Sequence, residues 1–518
     1  MRKVSNSWVL RWVIGVLPFY LFTFSPLQAR VTLPQFFSDN MVLQQQTECN
    51  IWGSADVGKS VVVITSWDKK SYSVKVDDNG EFLVKVKTPE AGGPYDITFA
   101  LATTSKSSAV SSGMAYDCTL HNVMIGEVWI CSGQSNMEML MKGYKAQPVE
   151  GATEELIACK DNGLRLFYGK RAARLEPQKD IAGSWQEADA ASVREFSATA
   201  YFFGKTLRKA LGVPVGLICT AFGGSACEAW MNADWLKAFP KVKQTITEED
   251  VKKLQQRCPT ALYNGQLKPL IGYGIRGAIW YQGEDNVPRY DYYAPLMARM
   301  IQGWREDWHQ GDFPFYYCQI APFAYDETDW ALYNSALLRE QQAKVETMVD
   351  NCRMAVLLDT GLKRVIHPRK KRIAGERLAL LALSNTYDVK GLPDFAKYKA
   401  VEFKSDTTVV SFDRSKEWVY FEHDTGERSN PLLASDNFEV AGSDKQFHPA
   451  TKVWVSRNRV YVVCDKVKKP VAVRYAWRDW VVGDLMHDGL PVSSFRTDDW
   501  DSQPLTPSKG KGDYNEPK

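Results

Sequence analysis

The sequence predicts an α/β fold, a parallel sheet with helices on both faces, flanked by an N-terminal β-sandwich and a C-terminal β region. Three observations carry this. Between about residues 120 and 386, short apolar runs alternate with segments whose apolar residues recur at helical spacing. On either side, from Val31 to Cys118 and from Asp388 to Trp500, strand-like runs bounded by turn residues replace that alternation. A chain of 518 residues is also too long for one core, so several domains are expected.

In order, residues 1–29 read as a cleaved secretory signal, with an uncleaved anchor as the alternative. Arg2, Lys3 and Arg11 precede the apolar stretch Trp12 to Phe24, and Ala29 is a small residue at a plausible cleavage point. Pro18 interrupts that stretch, which is too short for a comfortable bilayer span. The mature protein is therefore expected in the periplasm or outside the cell, with no stable membrane span. Residues 30–119 form the expected sandwich. Its strands are Val61 to Ile64, Tyr72 to Val76, Glu81 to Lys87 and Tyr95 to Leu101. Asp77-Asp-Asn-Gly80 reads as a hairpin, Gly92-Gly-Pro94 as a turn, and Thr103 to Ser112 as a loop.

Residues 120–386 hold the strands ending at Cys131, Phe222, Tyr281, Ile320 and Leu358. Helices are expected from Phe196 to Ala210, from Tyr290 to Trp308, from Tyr333 to Met348 and from Pro368 onward, proline being favoured at a first helical position. Residues 387–501 return to β, with turn markers at Asp424-Thr-Gly426 and Gly442. Residues 502–518 are polar and expected to be a disordered tail.

Composition narrows the function. A net charge of +3 with no long basic stripe argues against nucleic acid as a partner. Of ten cysteines, Cys131, Cys219, Cys318, Cys352 and Cys464 lie in or beside apolar runs and are expected to be small buried hydrophobes. With no C-x-x-C pair and six histidines, a structural zinc site is not expected, and no cofactor is called for.

The chemistry concentrates where strands end. The apolar run Val123 to Cys131 stops at Gly133-Gln-Ser-Asn136, a Gly-x-Ser turn. Such a turn lifts a hydroxyl above the carboxyl edge of a sheet, where open α/β sheets bind ligands. A Ser135 that only caps a helix is the simpler alternative. Other strands end in Phe222-Gly-Gly-Ser225, Gln282-Gly-Glu-Asp-Asn286 and Asp359-Thr-Gly361, and Ile366-His-Pro368 follows. Together they supply a nucleophile, amide donors and a base, as acyl transfer requires.

These blocks resemble the sialate O-acetylesterase family of the SGNH hydrolases. The stretches are Gly126-Glu-Val-Trp-Ile-Cys-Ser-Gly-Gln-Ser-Asn-Met-Glu138, Phe222 to Trp230, Trp280 to Asn286, and Ile366-His-Pro368 with Gly375-Glu-Arg-Leu378. Flanking matches are Phe37 to Gln44, Arg474 to Trp477 and Gly489-Leu-Pro491. The resemblance implies a flavodoxin-like sheet and a serine esterase that removes O-acetyl groups from carbohydrate. O-acetylated sialic acid is the first substrate implied, and acetylxylan or another glycan acetylester the second. A non-catalytic carbohydrate-binding protein is the alternative of another class.

Carried over, Ser135 is the nucleophile, His367 the general base, Gly224 (rather than Gly223) and Gln282 the oxyanion donors, with Glu284 and Asn286 holding that loop. The family places an aspartate three residues before the histidine, but position 364 is Arg. Asp359 is then the nearest candidate to orient His367. Trp52, Trp67, Trp280, Trp304 and Trp477 are candidates for stacking on sugar, core positions being the commoner use. Arg369-Lys-Lys-Arg372 is a candidate anion-binding patch or, more simply, a solvated helix face.

Overall fold

The computed structural model describes residues 31–102, 116–325, 335–413, 418–422 and 434–500. The expected signal, the Thr103–Ser112 loop, the Asp424–Gly426 turn and the C-terminal tail lie outside these residues.

The central element is β1 (Tyr116–Gly133), an 18-residue strand whose two halves serve two sheets. Its first half pairs antiparallel with the strand Gly92–Ala102 of the N-terminal part. Its second half, Glu127 to Gly133, is wholly buried between parallel neighbours. No break falls at residue 119, so the two parts share this strand.

In the α/β part β1 is followed by β2 (Asp161–Tyr168), β3 (Trp185–Ala188), β4 (Val215–Ala221), β5 (Gly277–Tyr281), β6 (Phe315–Cys318) and β7 (Cys352–Ala355). Their spatial order is β7-β6-β5-β1-β4-β2-β3, parallel except for the edge pair β2–β3. Without the inserted edge pair, the remaining strands run 2-1-3-4-5 in chain order, and the order reverses between β1 and β5. Ligands bind outside the carboxyl ends of strands at such a reversal.

The helices that position the site are α1 (Ser135–Glu138), α2 (Ala198–Leu211), α3 (Tyr293–Trp308), α4 (Ser335–Met348) and α5 (Lys371–Asn385). Helix α2 packs against α5, and α3 against α4. The right-handed crossover rule for parallel strands assigns these pairs to opposite faces of the sheet. Helix α5 begins at Lys371 rather than Pro368. Tertiary bonds hold the preceding residues out of helix: Asn136 Nδ2 donates to Ile366 O at 3.2 Å, and Glu150 N–H to Arg369 O at 3.0 Å.

The N-terminal part corrects two local expectations. Asp77–Gly80 is a turn, with Asp77 Oδ1 accepting the N–H groups of Asn79 and Glu81 at 2.9 and 2.8 Å, but it does not close a hairpin. Strand Ser71–Lys75 pairs with Ser60–Thr65, whereas Glu81–Lys87 pairs with Glu48–Ser54 in a separate sheet. Turn chemistry is local, and it reverses the chain without choosing the sheet that follows. Gly92-Gly-Pro94 opens a strand at a register shift, where proline's missing N–H costs no ladder bond.

The C-terminal β strands form three further small sheets. They dock on α4 through Arg339, which is fully buried and donates to the carbonyls of Ala476 and Arg478. Trp280 meets Trp230 and Trp304 edge-to-face at 6.0 and 5.8 Å. With Trp477 they are buried, while Trp52 and Trp67 pack partly buried against the core. These tryptophans fill the interior, where T-shaped pairs add about 1 kcal/mol each beyond area burial, and none lines the cavity described next.

Candidate active site

A cavity of about 510 Å³ opens over the carboxyl ends of β1, β4 and β5. Its lining includes Ser135, Gly223, Gly224, Glu284 and His367. Four loops, spread from Ser135 to His367 along the chain, thus meet at the strand-order reversal.

The Gly-x-Ser turn depends on Gly133. Its φ is +140°, and a Cβ there would lie 2.2 Å from Tyr281 O on the adjacent strand. Ser135 follows as the first residue of α1. Among the described residues, neither its Oγ nor its N–H has a protein partner. Gln134 ties this turn to the β5 loop, its Oε1 accepting the N–H of Gly283 at 3.1 Å and of Asp285 at 3.4 Å.

His367 lies on the cavity wall between two residues of the loop after α1. Its Nδ1 is 2.7 Å from Gln147 Oε1, and the Tyr144 ring meets it edge-on at 4.9 Å. Reciprocal backbone bonds of 3.0 Å between Tyr144 and Gln147 make that loop a clamp. With an amide oxygen as acceptor, Nδ1 carries the hydrogen and Nε2 keeps its lone pair for a serine proton.

Asp359 does not orient this histidine. Both its oxygens are taken by Arg377, at 2.6 Å each, and neither residue lines the cavity. Arg377 also donates to Val356 O at 2.9 Å, so the pair braces the end of β7 against α5. The group beside His367 is a neutral amide 220 residues away in sequence, and nothing in the reading of the motifs pointed to it.

Gln282 is likewise not a donor to the cavity. It is fully buried, and its Nε2 donates to Ser225 O at 3.0 Å and Asn286 Oδ1 at 2.7 Å. Its Oε1 receives the Tyr293 hydroxyl at 2.9 Å, which fills the amide. Asn286 in turn accepts the Cys227 N–H at 3.0 Å and donates to Glu228 at 2.9 Å. Gln282 and Asn286 are struts that lock the β4 and β5 loops together. Among the described residues, the backbone N–H groups of Ser135 and Gly224 at the cavity wall have no protein acceptor. The Gly223 N–H is already given to Glu138.

Beneath Ser135 lies a buried polar chain. Lys371 Nζ donates to Asn136 Oδ1, and Asn136 Nδ2 donates to Glu284 Oε1, both at 2.5 Å. Burial pushes the Lys371 ammonium down to about 7 and the Glu284 carboxyl up. The basic run at 369–372 is therefore no uniform patch. Lys371 points inward, and Arg372 pairs with Glu155 at 2.7 Å.

Burial, and the Lys371 charge after it, push His367 down to about 4. A base with a depressed value is active above it, so the acid limb of kcat/KM should fall near pH 4 rather than near the ordinary 6.5. For stability the sign is the same. The unfolded chain binds the extra proton between those two values, so stability is lost as pH falls through that window. Lys371→Met removes the second cause only, so the limb should move part of the way toward 6.5, as a pH profile of both proteins would show. An unmoved limb would dismiss the Lys371 contribution.

Among the described residues, no group of three or more His, Cys, Asp or Glu side chains is arranged to hold a metal ion, and no helix is long and apolar enough to cross a membrane.

Comparison with known proteins bears on this geometry. Residues 125–364 match the family described as carbohydrate esterase, sialic acid-specific acetylesterase. Sialate O-acetylesterase of Homo sapiens is 26% identical over 510 residues, covering 90% of this chain and 92% of that protein. Its Mus musculus counterpart is 25% identical over 508 residues, covering 86% and 89%. The crystal structure of a carbohydrate acetylesterase from Xanthomonas citri superposes with a TM-score of 0.78 at 32% identity, covering 91% of this chain and all of that one. With a serine, a histidine and free amide hydrogens at one sheet edge, and likeness along nearly the whole length, the chain belongs to the sialic acid-specific acetylesterase family of carbohydrate esterases and is a carboxylic ester hydrolase.

Proposed function

We propose that the protein removes O-acetyl groups from carbohydrate through an acyl-enzyme on Ser135, with O-acetylated sialic acid as its substrate, and that it is an SGNH hydrolase. The observation that carries this is the meeting of Ser135, His367 and the unbonded N–H groups of Ser135 and Gly224 around one cavity. Ser135 Oγ attacks the acetyl carbonyl while His367 Nε2 takes its proton. The carbonyl oxygen, now an anion, receives the two N–H groups. Collapse breaks the bond to the sugar oxygen, which leaves with the proton from His367. Water then repeats the sequence on the acetyl-serine and releases acetate. The strand order and the order Ser135, Gly224, His367 along the chain support the SGNH assignment.

Lys145, Arg171 and Arg257 line the wall together with Glu138, Glu284 and Asp285, and Arg171 and Arg257 are paired with Glu138 and Asp285. Exposed Lys145, which has no ion-pair partner among the described residues, is the cation that supports an anionic sugar. The basic, apolar and small-residue segments of residues 1–29 support export.

The test is acetate release from a panel of O-acetylated sialic acids and acetylated xylan oligomers, using protein recovered from periplasm or medium. Sialic acids should be the faster group, and the mature chain should begin near Arg30. Faster release from xylan would overturn the substrate and leave the mechanism. Folded protein that releases no acetate from any member would overturn the esterase reading in favour of carbohydrate binding, and retention of residues 1–29 would overturn export.

A further inference from the structure

Glu138 is a buried carboxylate at the end of α1, beside the cavity, and the acyl-transfer steps make no use of it. It is 2% exposed. Burying a carboxylate is costly unless its lone pairs are filled, and here what fills them is informative. Oε2 accepts the Gly223 N–H at 2.9 Å and lies 3.4 Å from the Tyr144 hydroxyl, which also reaches Ser135 O at 3.1 Å. Oε1 accepts Arg171 Nε at 2.5 Å. Every contact fastens a segment that borders Ser135.

The turn at Gly223 is shaped around this carboxylate. A Cβ on Gly223 would sit 2.8 Å from Glu138 Oε2 and 3.4 Å from Ser135 Cβ, so the peptide passes close to both. Ser225 N–H closes the turn onto Phe222 O at 3.1 Å. Between these two fixed peptides, the Gly224 N–H is left without an acceptor among the described residues. Arg171 holds the outer side of the same turn, with its guanidinium 4.9 Å from the Phe222 ring centre. It also pairs the carboxylate charge, which would otherwise oppose a developing oxyanion nearby.

We propose that Glu138 is the positioning residue of the oxyanion site. Its carboxylate pins the Gly223 peptide so that the Gly224 N–H stays aimed at the carbonyl oxygen of an ester bound at Ser135, and Arg171 neutralises it for that task. This inference rests on the esterase reading above.

The experiment compares wild type, Glu138→Ala, Glu138→Gln and Arg171→Met on a soluble acetyl ester. It also measures affinity for a small alkylboronic acid, which forms a tetrahedral anionic adduct on a serine oxygen. Glu138→Ala should lower kcat by about 100-fold with KM nearly unchanged, the loss typical of one oxyanion donor. Boronate affinity should fall in proportion. Glu138→Gln, whose amide oxygen still accepts the Gly223 N–H, should recover most of both. Arg171→Met, which leaves the carboxylate unpaired, should weaken the boronate without raising KM.

A loss confined to KM or melting temperature, or a kcat loss without weaker boronate binding, would overturn the proposal. If Glu138→Ala fails to fold, Glu138→Gln and Arg171→Met decide it. Unchanged boronate affinity in Arg171→Met would then overturn it. Labelling Ser135 with a fluorophosphonate separates the two failures. An unlabelled, inactive wild type sinks the esterase reading, whereas a labelled, active wild type matched by Glu138→Ala sinks this inference alone.

Discussion

Ser135→Ala and His367→Ala should each lower turnover of an acetyl ester by about 10⁴- to 10⁶-fold, and the double variant should be no slower than the worse single variant. In the proposed mechanism the pair acts as one unit. Without the hydroxyl there is no acyl-enzyme, and without the imidazole the hydroxyl keeps its proton near neutral pH. The N–H groups of Ser135 and Gly224 remain in all three variants, so some rate above the uncatalysed reaction should survive. Single-turnover acetate release from the three proteins checks this, with melting temperatures confirming that each is folded. Losses that multiply in the double variant would mean that the two residues act separately.

A second large effect is expected at Gln147. Gln147→Ala should lower kcat by about 100-fold, because His367 loses the acceptor that sets its tautomer and only the Tyr144 ring still holds it. Gln147→Glu should act in the opposite direction. A carboxylate in the same place accepts the same hydrogen and stabilises the imidazolium formed during attack. The His367 value should then rise from about 4, carrying the acid limb of the pH profile upward with it. Asp359→Asn belongs in the same series. It should leave kcat near that of wild type and lower the melting temperature, because its partner is the buried guanidinium of Arg377. Strong loss of turnover in Asp359→Asn, with Gln147→Ala unaffected, would return the orienting role to Asp359.

Burial and the Lys371 charge set the state of the histidine, and the neutral Gln147 amide beside it carries no charge to oppose them. In a Ser-His-Asp triad the carboxylate holds the tautomer and also supports the imidazolium charge. Gln147 does the first without the second. With burial and Lys371 both disfavouring the imidazolium, His367 rests as a neutral base over an unusually wide pH range.

The α/β architecture and the neighbourhood of Ser135 could be read from residues alone, because their signals are local. An apolar run ending in Gly-x-Ser predicts a buried strand followed by a serine at the carboxyl edge of the sheet. The alternation of such runs with helical spacing predicts a parallel sheet. From those two facts, the ends of β1, β4 and β5 must lie along one edge. Which polar group turns inward at that edge is a different kind of fact. Gln282 and Asp359 both stand in the expected blocks. Each is nevertheless consumed by a partner, Gln282 by Ser225 and Asn286 and Asp359 by Arg377, because a buried polar group must spend its hydrogen bonds on whatever packs against it. Gln147 and Glu138 acquire their places for the same reason. The Gly143–Pro148 loop folds back onto His367, and the β4 loop onto Glu138, so the acceptor each one offers has a meaning only after the chain has brought its donor there.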